Sequence, residues 1–146
     1  MSRMDPLATT PKMIRVPPTP TVLVAEDDRT NQVLIRRQLE NLGCLPTVVA
    51  HGQEALEALE REAFDLLLLD CHMPVLDGWA TCREIRRRET ENGKERLPVL
   101  AVTAWAMQSD KDLCYESGMD EVLAKPLRSS DLADALERWI PKISPP

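Results

Sequence analysis

The chain has 146 residues, a formal net charge of −6 and a pI near 5.0, which suits one domain with a hydrophobic core and argues against a nucleic-acid surface, since that needs a basic face. No apolar run approaches the ~18 residues of a membrane span and the amino terminus has no apolar signal region, so the segment reads as soluble, without membrane contact and cytoplasmic. Cys44, Cys71, Cys82 and Cys114 contain no C-x-x-C pair, and only His51 and His72 are available to complete a metal site. They read as reduced, small buried thiols.

Residues 1–20 carry Pro6, Pro11, Pro17, Pro18 and Pro20 without apolar periodicity and read as a disordered linker or leader. The folded part is expected over 21–141, with 142–146 a short tail. Thr21 to Ala25 is β-prone and ends directly in Glu26, Asp27 and Asp28. Asp28 or Thr30 then caps a helix with Ile35, Leu39 and Leu42 on one face, stopped by Gly43. Pro46 to Ala50 is a second strand, and Ala55, Leu56, Leu59 and Ala63 mark a second amphipathic helix. Four consecutive leucines, Leu66 to Leu69, then read as a central strand buried on both faces, ending at Asp70.

A third helix is expected from Trp79 to about Glu89, followed by a loop from Glu91 to Arg96. Leu97 to Val102 is the fourth strand, ending at Thr103. A fourth helix, roughly Ser109 to Ser117, closes at Gly118, and Val122 to Ala124 is a fifth strand ending at Lys125 and Pro126. Ser130 caps a last helix with Leu132, Leu136, Trp139 and Ile140 inward. Five short strands alternating with helices predict an α/β fold built of right-handed βαβ units, one parallel sheet with helices on both faces.

In a parallel sheet the carboxyl ends of the strands share one edge, so Glu26, Asp27, Asp70, Thr103 and Lys125 should meet on one rim. Carboxylates that close repel unless a cation intervenes, and hard oxygen ligands favour Mg²⁺ over zinc. Asp70 then has the chemistry of a nucleophile toward phosphorus, with Lys125 holding one phosphoryl oxygen and the Thr103 hydroxyl donating to another.

Four motifs carry a resemblance: Val22 to Asp28 with Asn31 and Gln32; Asp65 to Asp70 continuing through Met73-Pro74 to Asp77-Gly78; Ala101 to Ala104; and Gly118 to Pro126. Residues 21–140 resemble the receiver domain of the two-component response-regulator family, and most closely the receivers of hybrid sensor histidine kinases. The resemblance implies a (βα)5 flavodoxin-like receiver fold with strand order 2-1-3-4-5. It implies that Asp70 takes a phosphoryl group from a phosphohistidine, with possible slow autodephosphorylation, and that a longer parent chain is a histidine kinase whose cytoplasmic part this is. Asp27 would ligate Mg²⁺ directly, Glu26 through water, and Asp70 and the backbone carbonyl of Cys71 would complete the protein ligands, with Mn²⁺ able to substitute. Thr103 becomes the mobile hydroxyl, Lys125 the salt-bridge partner, and the Lys125–Pro126 peptide is expected to be cis. Implied partners are a histidine kinase or a histidine phosphotransfer domain, with a weak homodimer as a further option.

One position departs from the family pattern: Val122 stands where an aromatic usually accompanies the threonine shift. Trp105, two residues after Thr103, is an alternative reporter or partner contact, and Trp79 should lie near the rim with it. Two other readings remain: a receiver-like interaction module without phosphate turnover, and an aspartyl-phosphate phosphatase, which wants an aspartate where His72 stands. His72 receives no catalytic role. Arg83 and Arg86 to Arg88 read as a solvated helix face rather than a docking patch.

Overall fold

The computed structural model describes residues 19–104 and 106–140, so the proline-rich segment up to residue 18, Trp105 and the tail from 141 lie outside the described residues. Ten elements alternate along the chain: β1 (Thr21–Ala25), α1 (Arg29–Asn41), β2 (Leu45–Val49), α2 (Gly52–Arg61), β3 (Leu66–Asp70), α3 (Gly78–Asn92), β4 (Val99–Thr103), α4 (Gln108–Glu116), β5 (Glu121–Ala124) and α5 (Ser129–Trp139). All four strand pairings are parallel and the sheet order is β2-β1-β3-β4-β5, as expected for a flavodoxin-like receiver fold.

Strand side chains alternate between faces, and this divides the apolar residues into two cores. Val22, Val24, Leu66, Leu68, Leu100 and Val102 pack with Ile35 and Leu39 of α1 and Leu132 and Leu136 of α5. Leu23, Ala25, Leu67, Leu69, Val99 and Ala101 pack on the other face with Ala55 and Leu56 of α2, Cys82 and Ile85 of α3, and Cys114 of α4. The four leucines of β3 are each at most 1% exposed, which explains their unbroken run: both faces of that strand are covered. Burying each contributes roughly 1.5–3 kcal/mol, so the central strand alone accounts for a large share of the core. The edge strand β2 tolerates Pro46 because an edge position can do without one ladder donor.

Local chemistry sets the element ends, with several departures from the sequence reading. Asp28, rather than Thr30, caps α1 by accepting from the Asn31 N–H at 2.9 Å. His51 caps α2 through Nδ1, and Glu54 Oε1 reciprocally accepts from the Ala50 N–H at 2.7 Å. The helix ends at Arg61, leaving Ala63 exposed outside it. α3 runs to Asn92, past the expected Glu89. Arg87 bridges Glu84 and Glu91 across that extension, and Gly93, at φ 64°, is the first residue suited to the left-handed stop. β4 begins at Val99 because Pro98 has no N–H to donate. α5 begins at Ser129 after an Arg128 cap with no side-chain hydrogen bond, so Ser130 is not the cap but lies in the first turn. The chain turns helical early there because Gln38 Nε2 holds the Leu127 carbonyl at 2.8 Å.

Arg86 also departs from the reading of a solvated arginine face. Its side chain is only 14% exposed, and its guanidinium donates to the Gly118 carbonyl at 2.9 Å, the Leu97 carbonyl at 2.8 Å and Asp120 Oδ2 at 2.9 Å, with Glu89 as a further ion pair. Asp120 Oδ2 in turn accepts from the Val99 N–H, and Arg96 engages Asp120 Oδ1 at 2.8 Å. This network ties α3 to the amino-terminal ends of β4 and β5, opposite the rim where the acidic residues collect. Arg83 and Arg87 are exposed as expected, and Arg87 and Arg88 pair with surface glutamates. Those contacts hold Glu84 down at about 2, chiefly through hydrogen bonds from Arg87 and Arg88.

In the loop between β3 and α3, Val75 has φ 70° and is 76% exposed. A β-branched residue in left-handed backbone costs roughly 1–2 kcal/mol, and little burial offsets it here.

Two stability outcomes follow from these contacts. Arg86→Met should lower the urea-unfolding free energy by about 2 kcal/mol, because it leaves the half-buried Leu97 carbonyl without its donor and takes from Asp120 and the Gly118 carbonyl a partner that Arg96 replaces only in part, whereas Arg87→Ala should change it by about 0.5 kcal/mol or less. Equal losses for the two variants would rule out a special role for the Arg86 network. Val75→Asn should raise stability by about 0.5–1 kcal/mol in the same assay, since asparagine tolerates left-handed backbone; a loss would mean that the exposed valine makes contacts that outweigh its strain.

Candidate functional site

The parallel sheet brings the carboxyl ends of β1, β3, β4 and β5 to one edge, and the residues singled out from the sequence meet there. Glu26 follows β1 and is 1% exposed; its N–H pairs with the Val49 carbonyl at 3.0 Å, its Oε2 accepts from the Asp28 N–H at 3.0 Å, and its carbonyl accepts from Gln32 Nε2. Asp27, the next residue, is exposed. Asp70 ends β3 at 4% exposure, with Oδ1 accepting from the His72 N–H at 3.1 Å and Oδ2 from Lys125 Nζ at 3.2 Å. Lys125 Nζ also lies 2.9 Å from Glu26 Oε1, a charge contact with no aligned hydrogen bond.

Thr103 ends β4 at 1% exposure, and its carbonyl accepts from the Lys125 N–H at 2.9 Å. The Lys125–Pro126 peptide is cis. Two contributors escaped the sequence reading. One is the His72 backbone N–H on Asp70. The other is Gly78: a Cβ there would collide with the Asp70 carbonyl and crowd the Cys71 Cα, so only glycine lets α3 start against the end of β3. The Gly78 N–H donates to the Cys71 carbonyl at 3.0 Å, and Asp77 caps α3 through the Ala80 N–H at 2.8 Å. The spacing of Asp70 and Gly78 was visible, but the close approach was not.

Burial, followed by the charge of Glu26, pushes the Asp70 carboxyl up to about 6, even though the His72 N–H and Lys125 pull it down. Burial also works against the Lys125 ammonium, but the carboxylates of Glu26 and Asp70 outweigh it and raise the lysine. One ammonium therefore serves two buried carboxylates, a site short of positive charge.

The residues fit a divalent cation. Glu26, Asp27 and Asp70 each offer a carboxylate oxygen, and these lie within 4.8 Å of one another. Glu26 Oε1 is buried without an aligned donor, and the donor set is all hard oxygen, the kind that binds Mg²⁺ or Ca²⁺ rather than thiophilic metals.

Val122 is half-buried against the core beneath α2, α3 and α4, so no aromatic ring occupies that position. Trp79 does sit at the rim, where its ring meets His72 edge-on with centroids 5.1 Å apart. All four cysteines are buried free thiols, as read from the sequence. No described helix is long and apolar enough to cross a membrane.

Comparison with known proteins gives the arrangement its context. The hybrid signal transduction protein dokA of Dictyostelium discoideum is 42% identical over 123 residues, covering 84% of this chain and 7% of that protein. Curated relatives of this kind are much longer, and the chain spans 6 to 13% of their length. Among solved structures, the receiver domain of sensor histidine kinase PA1611 from Pseudomonas aeruginosa PAO1, with a magnesium ion coordinated in its active-site cleft, is 40% identical with a TM-score of 0.77. The alignment covers 85% of this chain and 99% of that one. The receiver domain of Ssk1, crystallised with the histidine phosphotransfer protein Ypd1 of Saccharomyces cerevisiae, is 28% identical with a TM-score of 0.79, covering 86% and 91%. Residues 22–137 match the response regulator receiver domain, and this chain belongs to that family.

Proposed function

We propose that this domain is a phosphorelay receiver in which Asp70 accepts a phosphoryl group from a phosphohistidine, as a module of a hybrid sensor histidine kinase. The observation that carries the reading is the Asp70 carboxylate. It stands at the tip of a fully buried strand, 3.2 Å from Lys125 Nζ and within 4.8 Å of oxygens from Glu26 and Asp27. An Asp70 oxygen forms the new O–P bond while the N–P bond of the donor breaks, leaving the electron pair on the imidazole.

Mg²⁺, or Mn²⁺ in its place, would be held by Asp27, Asp70 and the Cys71 carbonyl, with Glu26 acting through water, and it supplies charge neutralisation to the transferring group. Lys125 then exchanges its contact with Asp70 for one with a phosphoryl oxygen, staying charged because Glu26 remains beside it. The Thr103 hydroxyl donates to another phosphoryl oxygen, next to a lysine already tied to its carbonyl. Because Glu26 and Asp70 share that lysine, phosphorylation redistributes the charge of the whole rim.

The partner is a histidine kinase or a histidine phosphotransfer domain, a reading supported by the Ypd1 complex formed by the similar Ssk1 receiver. With a half-buried valine at 122, the conformational signal leaves without rotation of an aromatic ring at that position. It travels through displacement of Thr103 and the segment that follows it.

Incubation with Mg²⁺ and a small acyl phosphate should add one hydroxylamine-labile phosphoryl group, which Asp70→Asn abolishes. Asp27→Asn should weaken Mg²⁺ binding about 10- to 100-fold, followed by quenching of Trp79 fluorescence. Absence of labelling by acyl phosphate and by a histidine kinase would assign the domain to phosphate-independent protein binding. Continuous phosphate release without an accumulated intermediate would assign it to the phosphatases.

A further inference from the structure

Two of the four buried thiols touch. Cys71 Sγ and Cys114 Sγ lie 3.5 Å apart, with the residues 1% and 0% exposed, although 43 positions separate them in the chain. Cys71 immediately follows Asp70 at the end of β3, and Cys114 lies in α4. The other two cysteines are placed differently: Cys44 belongs to the core on the opposite face of the sheet, and Cys82 is packed in α3.

α4 is also the helix with the weakest hold on the body of the domain. It has nine residues, its Met107 cap makes no side-chain hydrogen bond, and Cys114 is its single buried residue. Leu113 and Tyr115, on either side, are exposed. By contrast α3 and α5 each bury at least three side-chain-bearing residues. A helix held by one buried side chain opens locally at low free energy, and opening α4 uncovers both sulfurs at once.

We propose that Cys71 and Cys114 are a redox-modification site: a hydroperoxide oxidises the pair to a disulfide that fastens α4 to the residue following Asp70. In the first step the Cys114 sulfur attacks the peroxide, the O–O bond breaks, and the thiol becomes a sulfenic acid with release of one water (an alcohol, for an organic peroxide). In the second step the Cys71 sulfur attacks the sulfenic sulfur, the S–S bond forms and a second water leaves, carrying the remaining thiol proton. Two thiols lose two electrons and one peroxide gains them. The bond requires the sulfurs to close by roughly 1.5 Å, to a length of about 2.05 Å. Since α4 has no other buried side chain, the disulfide turns its single non-covalent anchor into a covalent one. The proposal is independent of whether Asp70 carries phosphate.

The test uses the full chain, reduced, treated with hydrogen peroxide, quenched, and alkylated in denaturant before peptide mapping. The expected product is one cross-linked peptide pair joining Cys71 to Cys114, with Cys44 and Cys82 alkylated. The Gln108–Glu116 amides should exchange hydrogen more slowly in this form, and dithiothreitol should reverse both changes. Cys82→Ser should leave the cross-link intact and Cys114→Ser should abolish it. Four alkylated thiols, sulfinic acid at single cysteines without pairing, or a bond to Cys82 or Cys44 would each overturn the proposal. So would a Cys71–Cys114 bond that leaves α4 exchange unchanged.

Discussion

Two buried carboxylates sharing one ammonium is the interaction on which the rim is built. Glu26 and Asp70 come from neighbouring strands and would repel strongly in so dry a setting, and Lys125, arriving from the far strand, lies within 3.2 Å of both. Burial still wins over that partial compensation, since the Asp70 carboxyl sits well above its ordinary range. The site is therefore arranged to gain from any added positive charge, and exposed Asp27 supplies the wet side through which a cation would enter.

The rest of the fold keeps these groups at that distance. Parallel pairing through β1, β3, β4 and β5 puts all the strand ends on one edge, and the two apolar cores lock the strands against sliding. Register matters because a slip of one residue would turn Asp70 and its leucines to the wrong faces. Gly78 then allows α3 to begin hard against β3. At the opposite end of the sheet Arg86 joins α3 to the starts of β4 and β5. One end of the molecule is held by a satisfied polar network, while the other holds charge in reserve. That division separates stability from chemistry, as expected where functional groups gather at the carboxyl ends of strands.

Rigidity is uneven across the rim. The loop after Asp70 holds Val75 in left-handed backbone, and α4 rests on Cys114 alone among its own residues, whereas β3 and β4 are buried throughout. Parts able to move at modest cost thus lie beside the parts that must not. The half-buried Val122 belongs to the same region and leaves the segment after Thr103 without an aromatic neighbour from β5.

The strand-and-helix alternation, the double-sided burial of Leu66 to Leu69 and the convergence of Glu26, Asp27, Asp70, Thr103 and Lys125 were all legible in the amino-acid order. They follow from periodicity and from one rule of parallel sheets, both of which act locally or through topology alone. Element ends were less legible. The Ser130 cap and the Glu89 end of α3 gave way to Gln38 holding the Leu127 carbonyl and to surface ion pairs that carry the helix on to Gly93. Arg86 looked like its exposed neighbours because composition does not record which arginine faces the sheet. The Cys71–Cys114 contact was invisible for the same reason: residues 43 positions apart meet only once packing fixes how α4 lies on β3. Sequence alone determined which chemistry stands at the strand ends, because each group is placed by its own strand. Tertiary structure decided which groups share charge, which are buried and which helix is anchored by a single buried side chain, because those depend on distances between elements that no local pattern encodes.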